Sequence, residues 1–130
     1  MAYPEHYRFT REHMWITLDG VIASIGITDY AQCALLDIIF VEIVPRVGDQ
    51  VVANYGIGSI ESIKALNELY SPVTGTVVAV NEGLAAKPEP INKLPMETWI
   101  IKVEVADSSE FDSLLDGVAY DAYLNVMDAK

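Results

Sequence analysis

Cysteine is nearly absent from this 130-residue sequence: Cys33 stands alone, so no disulfide can close within the chain and a cysteine-based zinc cluster has too few ligands. A reducing compartment fits that usage. Positive charge is also scarce, with eight Lys and Arg against nineteen Asp and Glu and a net charge of −11. Such a chain repels a phosphate backbone, which excludes nucleic acid as a partner. Its acidic surface suits solvation, or steering onto basic patches of larger proteins. Long apolar runs are missing too. None approaches the ~18 residues of a membrane span, so no membrane partner is expected. Met1 to Tyr7 show neither the apolar stretch of a signal peptide nor the Arg- and Ser-rich makeup of a transit sequence, and the chain reads as cytoplasmic. Catalytic groups are few. His6 and His13 both lie near the N-terminus, and no His-x-x-x-His or Gly-x-Ser-x-Gly pattern occurs. Gly56-x-Gly58 lacks the third glycine and the following helix of a dinucleotide loop. The inventory predicts no catalytic and no metal site.

What is abundant is apolar sequence, 52% of the chain, enough for one domain to bury roughly two thirds of the surface it exposes when unfolded. Short β-branched stretches predict strands over 21–27, 37–44, 51–53, 57–60, 76–80 and 99–105, separated by turn signals such as Asp19-Gly20, Gly48-Asp49, Pro72 and Gly75. That density favours an all-β sandwich or barrel over βαβ units. Three helical patterns interrupt it. One starts at Thr28 as N-cap and carries Ala31, Ala34 and Leu35. Another opens at Asp107, with Glu110 completing a capping box and Phe111, Leu114 and Leu115 on one face, until Asp116-Gly117 breaks it. The last places Tyr120, Tyr123, Leu124 and Met127 on one stripe, read as packing. Val47-Gly48-Asp49-Gln50-Val51 and Val73-Thr74-Gly75-Thr76-Val77 echo each other on either side of Lys64.

Lys64 sits in Gly58-Ser59-Ile60-Glu61-Ser62-Ile63-Lys64-Ala65-Leu66-Asn67-Glu68-Leu69-Tyr70-Ser71-Pro72. Apolar strand positions flank it, and Glu61 and Ser62 favour exposure just before it. The segment reads as a hairpin, about 58–72, whose tip lifts a primary amine into solvent. An amide formed there would tether a swinging group to a rigid base. A turn lysine can equally be a plain solubilising charge.

The stretches GITDYAQCALLDIIFVEIVPRVGDQV and GSIESIKALNELYSPVTGTVVAVNEGL resemble the glycine cleavage H-protein family, whose signature is an ESVKA-like lipoylation site followed by a Ser/Ala-Pro-x-x-Gly turn. The resemblance runs from about Tyr7 to Leu124 and takes in KPEPIN and the strand at Trp99. It implies a mainly β barrel-sandwich hybrid, lipoyl-domain-like, with a short linking helix and C-terminal helices over about 107–128, all within one carrier domain over 1–130. It also implies that Lys64 is the lipoyl-lysine. Its disulfide would then take an aminomethyl group as glycine decarboxylase removes carbon dioxide, and a folate-dependent aminomethyltransferase would collect the one-carbon unit. Dihydrolipoyl dehydrogenase would reoxidise the dithiol, and a lipoate ligase or lipoyltransferase would attach the cofactor. The expected carrier is a monomer with no chemistry of its own.

Departures from the family pattern concern the cleft that receives the loaded arm. Family members usually read His-Glu-Trp where this chain has His13-Met14-Trp15, which leaves Met14 as a surface residue of a strand or puts Glu12 or Glu68 in the acid's place. Leu66, Asn67 and Glu68 follow Ala65 where small polar residues and Asp are usual. Leu36 replaces a common Gly, Val44 looks like an insertion, and Asn54 stands at another Gly position, tolerable because Asn accepts φ > 0. An H-like protein acting in lipoate relay or protein modification therefore stays open as the second reading. A biotin carrier or a 2-oxoacid dehydrogenase lipoyl domain fits less well, since Ile63 and Ala65 flank the lysine and the C-terminal helices are extra.

Overall fold

The computed structural model describes residues 6–35 and 37–128, apart from the side chains of Ala34, Met127 and Asp128. Leu36, the N-terminal segment 1–5, and the roles of Ala34 and Met127 in their helical stripes fall outside that description.

Among the described residues, nine strands and five helices follow one another as β1 (Tyr7–Phe9), β2 (Met14–Asp19), β3 (Ile22–Ile27), α1 (Asp29–Leu35), β4 (Ile38–Ile43), β5 (Gln50–Val51), β6 (Gly56–Ser62), β7 (Leu66–Tyr70), β8 (Gly75–Val80), α2 (Gly83–Ala86), α3 (Glu89–Lys93), β9 (Ile101–Val105), α4 (Ser109–Asp112) and α5 (Gly117–Asp128). They form a six-stranded sheet in the order β1-β2-β3-β9-β8-β5 and a three-stranded sheet in the order β4-β6-β7. Every pairing is antiparallel. The alternation of buried and exposed side chains is what packs one sheet on the other. Ile25, Val77 and Val103 from the larger sheet share one core with Val41, Ile60 and Leu69 from the smaller. The fold is mainly β, as the residue pattern predicts, and lipoyl-domain-like, as the family resemblance implies.

The two echoing segments turn out to be partners. Gln50 faces Thr76 and Val51 faces Gly75, and the Val77 N–H donates to the Asp49 carbonyl at 2.8 Å. Closing the ladder between the two flanks of the hairpin brings its two ends together and leaves the tip as the part that projects. At the hairpin's base, Gly58 sits where a Cβ would strike the Glu42 carbonyl, so the β4–β6 contact demands glycine there.

Helix ends mix expectation and correction. Thr28 caps α1 through its hydroxyl, which accepts the Ala31 N–H at 3.2 Å. Glu110, expected in a capping box, instead accepts the Thr74 N–H at 2.7 Å and the Thr74 hydroxyl at 2.9 Å. Asp107 caps locally, accepting from Ser109 N–H at 3.0 Å. β1, α2 and α3 have too few residues to show a period in the sequence.

Candidate functional site

Lys64 is exposed at the tip joining β6 to β7, in register between Glu61, which faces Leu66, and the closing bond from Ser62 N–H to the Ala65 carbonyl at 2.9 Å. The common two-residue hairpins need φ > 0. Neither Ile63 nor Lys64 has it. Ser62 supplies the closure instead: its hydroxyl oxygen accepts the N–H of Lys64 at 3.1 Å and of Ala65 at 3.2 Å, and donates to the Ala65 carbonyl at 3.3 Å. Ser62 is accordingly buried, at 5% exposure, where the sequence suggested an exposed residue. Its oxygen is an inward clamp that makes a rigid base for an outward lysine. Ile63 and Leu66, beside the lysine, present apolar side chains to solvent.

Beside the hairpin lies a cleft of about 320 Å³. Ile27, Leu35, Ile60 and Leu69 give it apolar walls, and Glu12, His13, Tyr30, Asn67 and Glu68 give it polar ones. Met14 takes no part. At 1% exposure it belongs to the main core, facing Ile27 across the β2–β3 pair, so it is packing and not a surface residue of a strand. Both proposed substitutes for the missing acid, Glu12 and Glu68, do line the cleft.

His13 was not singled out by sequence pattern, and the structure gives it a specific place. Its backbone is left-handed, at φ 67°, with its N–H bonded to the Thr10 carbonyl and its carbonyl accepting from Thr28 N–H. Histidine adopts that region more readily than most residues. The ring lies 4.7 Å from that of Tyr30, and Nδ1 is 2.8 Å from the Tyr120 hydroxyl. Burial lowers the His13 pKa from its ordinary value. Burial likewise pushes the Tyr120 phenol well above its usual range. Tyr120 stacks on Phe9 with centroids 4.5 Å apart, so it is the packing residue its stripe predicts, with a hydroxyl role that periodicity cannot reveal. Asn54, at φ 72°, adopts the left-handed backbone expected of it.

Residues 7–127 match the family model for the glycine cleavage H-protein. The chain belongs to the glycine cleavage H-protein family. Among H-protein relatives, the glycine cleavage system H protein of Acidobacterium capsulatum is 54% identical over 124 residues, covering 95% of each chain. The one from Geobacillus kaustophilus is 48% identical over 126 residues, covering 96% of this chain and 98% of its own. The crystal structure of an H protein from Mycobacterium marinum superposes with a TM-score of 0.84 at 29% identity, covering 95% of this chain and 99% of that one. Family membership thus agrees with the resemblance carried by the Lys64 hairpin, and the fold is the H-protein fold. Among the described residues, no helix is long and apolar enough to cross a membrane.

Proposed function

We propose that this H-protein is a non-catalytic, single-domain lipoyl carrier of glycine cleavage, with lipoate joined in amide linkage to Lys64. The observation that carries the reading is the hairpin tip: an exposed primary amine on a turn closed by the buried Ser62 hydroxyl. The adjoining cleft fits the group as well, since apolar walls suit an alkyl chain and the carboxylates of Glu12 and Glu68 suit a cationic end. Lipoate held there supplies a disulfide that is reduced as it takes up the one-carbon unit of glycine. The chain's own residues present, orient and shelter. Glycine decarboxylase, aminomethyltransferase and dihydrolipoyl dehydrogenase are the partners that do the chemistry, and a lipoate ligase or lipoyltransferase attaches the cofactor. The protein works as a monomer in the cytoplasm.

The relay reading drew its support from Met14 and Leu66; Met14 packs in the core instead of lining the cleft, which removes its part, while Leu66 stands exposed beside the tip. Intact mass after incubation with lipoate, ATP and a lipoate ligase tests the assignment. Wild type should gain one lipoyl increment and Lys64→Arg none. An increment on Lys64→Arg overturns the site.

A further inference from the structure

Thr28 is fully buried, and its hydroxyl oxygen already accepts the Ala31 N–H. A buried hydroxyl proton needs an acceptor. Among the described residues the one within reach is the Tyr120 oxygen, 2.8 Å away. Thr28 therefore donates to Tyr120, and the single Tyr120 proton is left for His13 Nδ1, also at 2.8 Å. The direction of this relay fixes the imidazole as the tautomer with its proton on Nε2 and no net charge.

We propose that Tyr120 is a positioning residue whose hydroxyl holds His13 as a neutral, Nε2-protonated wall of the cleft, so that a cationic cargo brought in on Lys64 meets Glu12 and Glu68 without a competing positive charge. The inference deepens the carrier reading and rests on it. Titratable and charged groups near the ring and the phenol that holds it include Glu12, Asp29 and Tyr30 of α1, Glu68 and Tyr70 of β7, and Tyr120 and Tyr123 of α5, with Arg11 over the Tyr123 ring. Both acids line the cleft, as do Tyr30 and Tyr70, whereas Tyr120 and Tyr123 contact the ring without lining it. Burial that disfavours a charged imidazole agrees with a neutral ring. The backbone bonds of the Thr10–His13 turn set where the ring starts, but they leave its side-chain torsions open. The phenol hydroxyl closes that freedom, which gives the C-terminal helix α5 a hand in a site on the opposite end of the sequence.

Tyr120→Phe removes the hydroxyl and keeps the ring stacked on Phe9. Two measurements test it, and the first uses the unmodified full chain. Nitrogen-15 spectra of the histidine rings should show wild-type His13 with its proton on Nε2, and Tyr120→Phe should average the two tautomers. Phe9→Leu loosens the same cluster but spares the hydroxyl, so it should leave the wild-type pattern. An unchanged spectrum in Tyr120→Phe, or the same change in Phe9→Leu, overturns the positioning role. The second uses lipoylated protein charged from glycine by a glycine decarboxylase and follows loss of cargo to water as formaldehyde. Tyr120→Phe should shorten the lifetime by about three- to tenfold, the range spanned by one neutral hydrogen bond. Equal lifetimes overturn the link to cargo. Should wild type take no lipoate on Lys64, the carrier reading and its cargo link fall together, whereas the nitrogen spectra still decide the role of Tyr120 toward His13.

Discussion

The carboxylate of Glu110 accepts both the backbone N–H and the side-chain hydroxyl of Thr74, tying α4 to the turn that follows the lysine hairpin. Thr74 passes the restraint on, since its hydroxyl oxygen also accepts the Ala53 N–H at 3.0 Å. Bonds to a charged acceptor contribute about 1.5–3 kcal/mol each, and neighbours sharing one carboxylate contribute less than their sum. Glu110→Ala should lower unfolding free energy by about 2–3 kcal/mol in a urea titration. A loss under about 0.5 kcal/mol, ordinary for a surface change, refutes the tie.

Ser62→Ala leaves Lys64 in the chain but strips the tip of its clamp. Two N–H groups lose their acceptor and turn to water, so the tip frays while the sheets stay paired. We expect lipoylation by a ligase to slow by about tenfold, with a stability loss near 1 kcal/mol. Equal initial rates for wild type and variant would falsify a recognition role for tip geometry.

Acid should weaken the fold through His13. Burial sets its folded pKa below the ordinary 6.5, so the unfolded chain takes up the proton first as pH falls. Its contribution to stability is whole above about pH 6.5 and is lost as pH drops from there through the folded-state value. Urea midpoints measured downward from about pH 8 should fall across this window less steeply in His13→Asn, a replacement that tolerates the left-handed backbone. Parallel curves for the two proteins rule the assignment out.

The cleft carboxylates and Met14 are separable. Glu12→Gln and Glu68→Gln should each shorten cargo lifetime on the lipoylated protein, because a sheltered cation loses a charged acceptor. Met14→Leu, a volume-conserving change in the core, should leave that lifetime unaltered and cost under about 1.5 kcal/mol. A Met14→Leu effect as large as either Glu→Gln effect places Met14 at the cleft after all.

Composition made the strands legible because β-branched runs between turn residues suit a pleated, half-buried surface, and 21–27, 76–80 and 99–105 fall on β3, β8 and β9. The Lys64 hairpin was legible for the same reason. Thr28 was found as a cap, since capping is local. Long-range polar bonds are a different matter. Nothing in the spacing of Glu110 and Thr74, 36 residues apart, or of His13 and Tyr120, 107 apart, marks them as partners. Met14 misled because alternation gives a strand residue two faces without saying which is buried, and Ser62 because a small polar residue before a tip suits either face.

The lysine hairpin belongs to a sheet of only three strands, and it presents one tip. A lone tip admits a single visitor. Under the carrier reading, the enzymes that charge, unload and reset this protein exclude one another from it, so each encounter must end before the next begins. Throughput then depends on how quickly visitors let go, and a partner that binds too well slows the whole cycle as surely as one that binds too weakly.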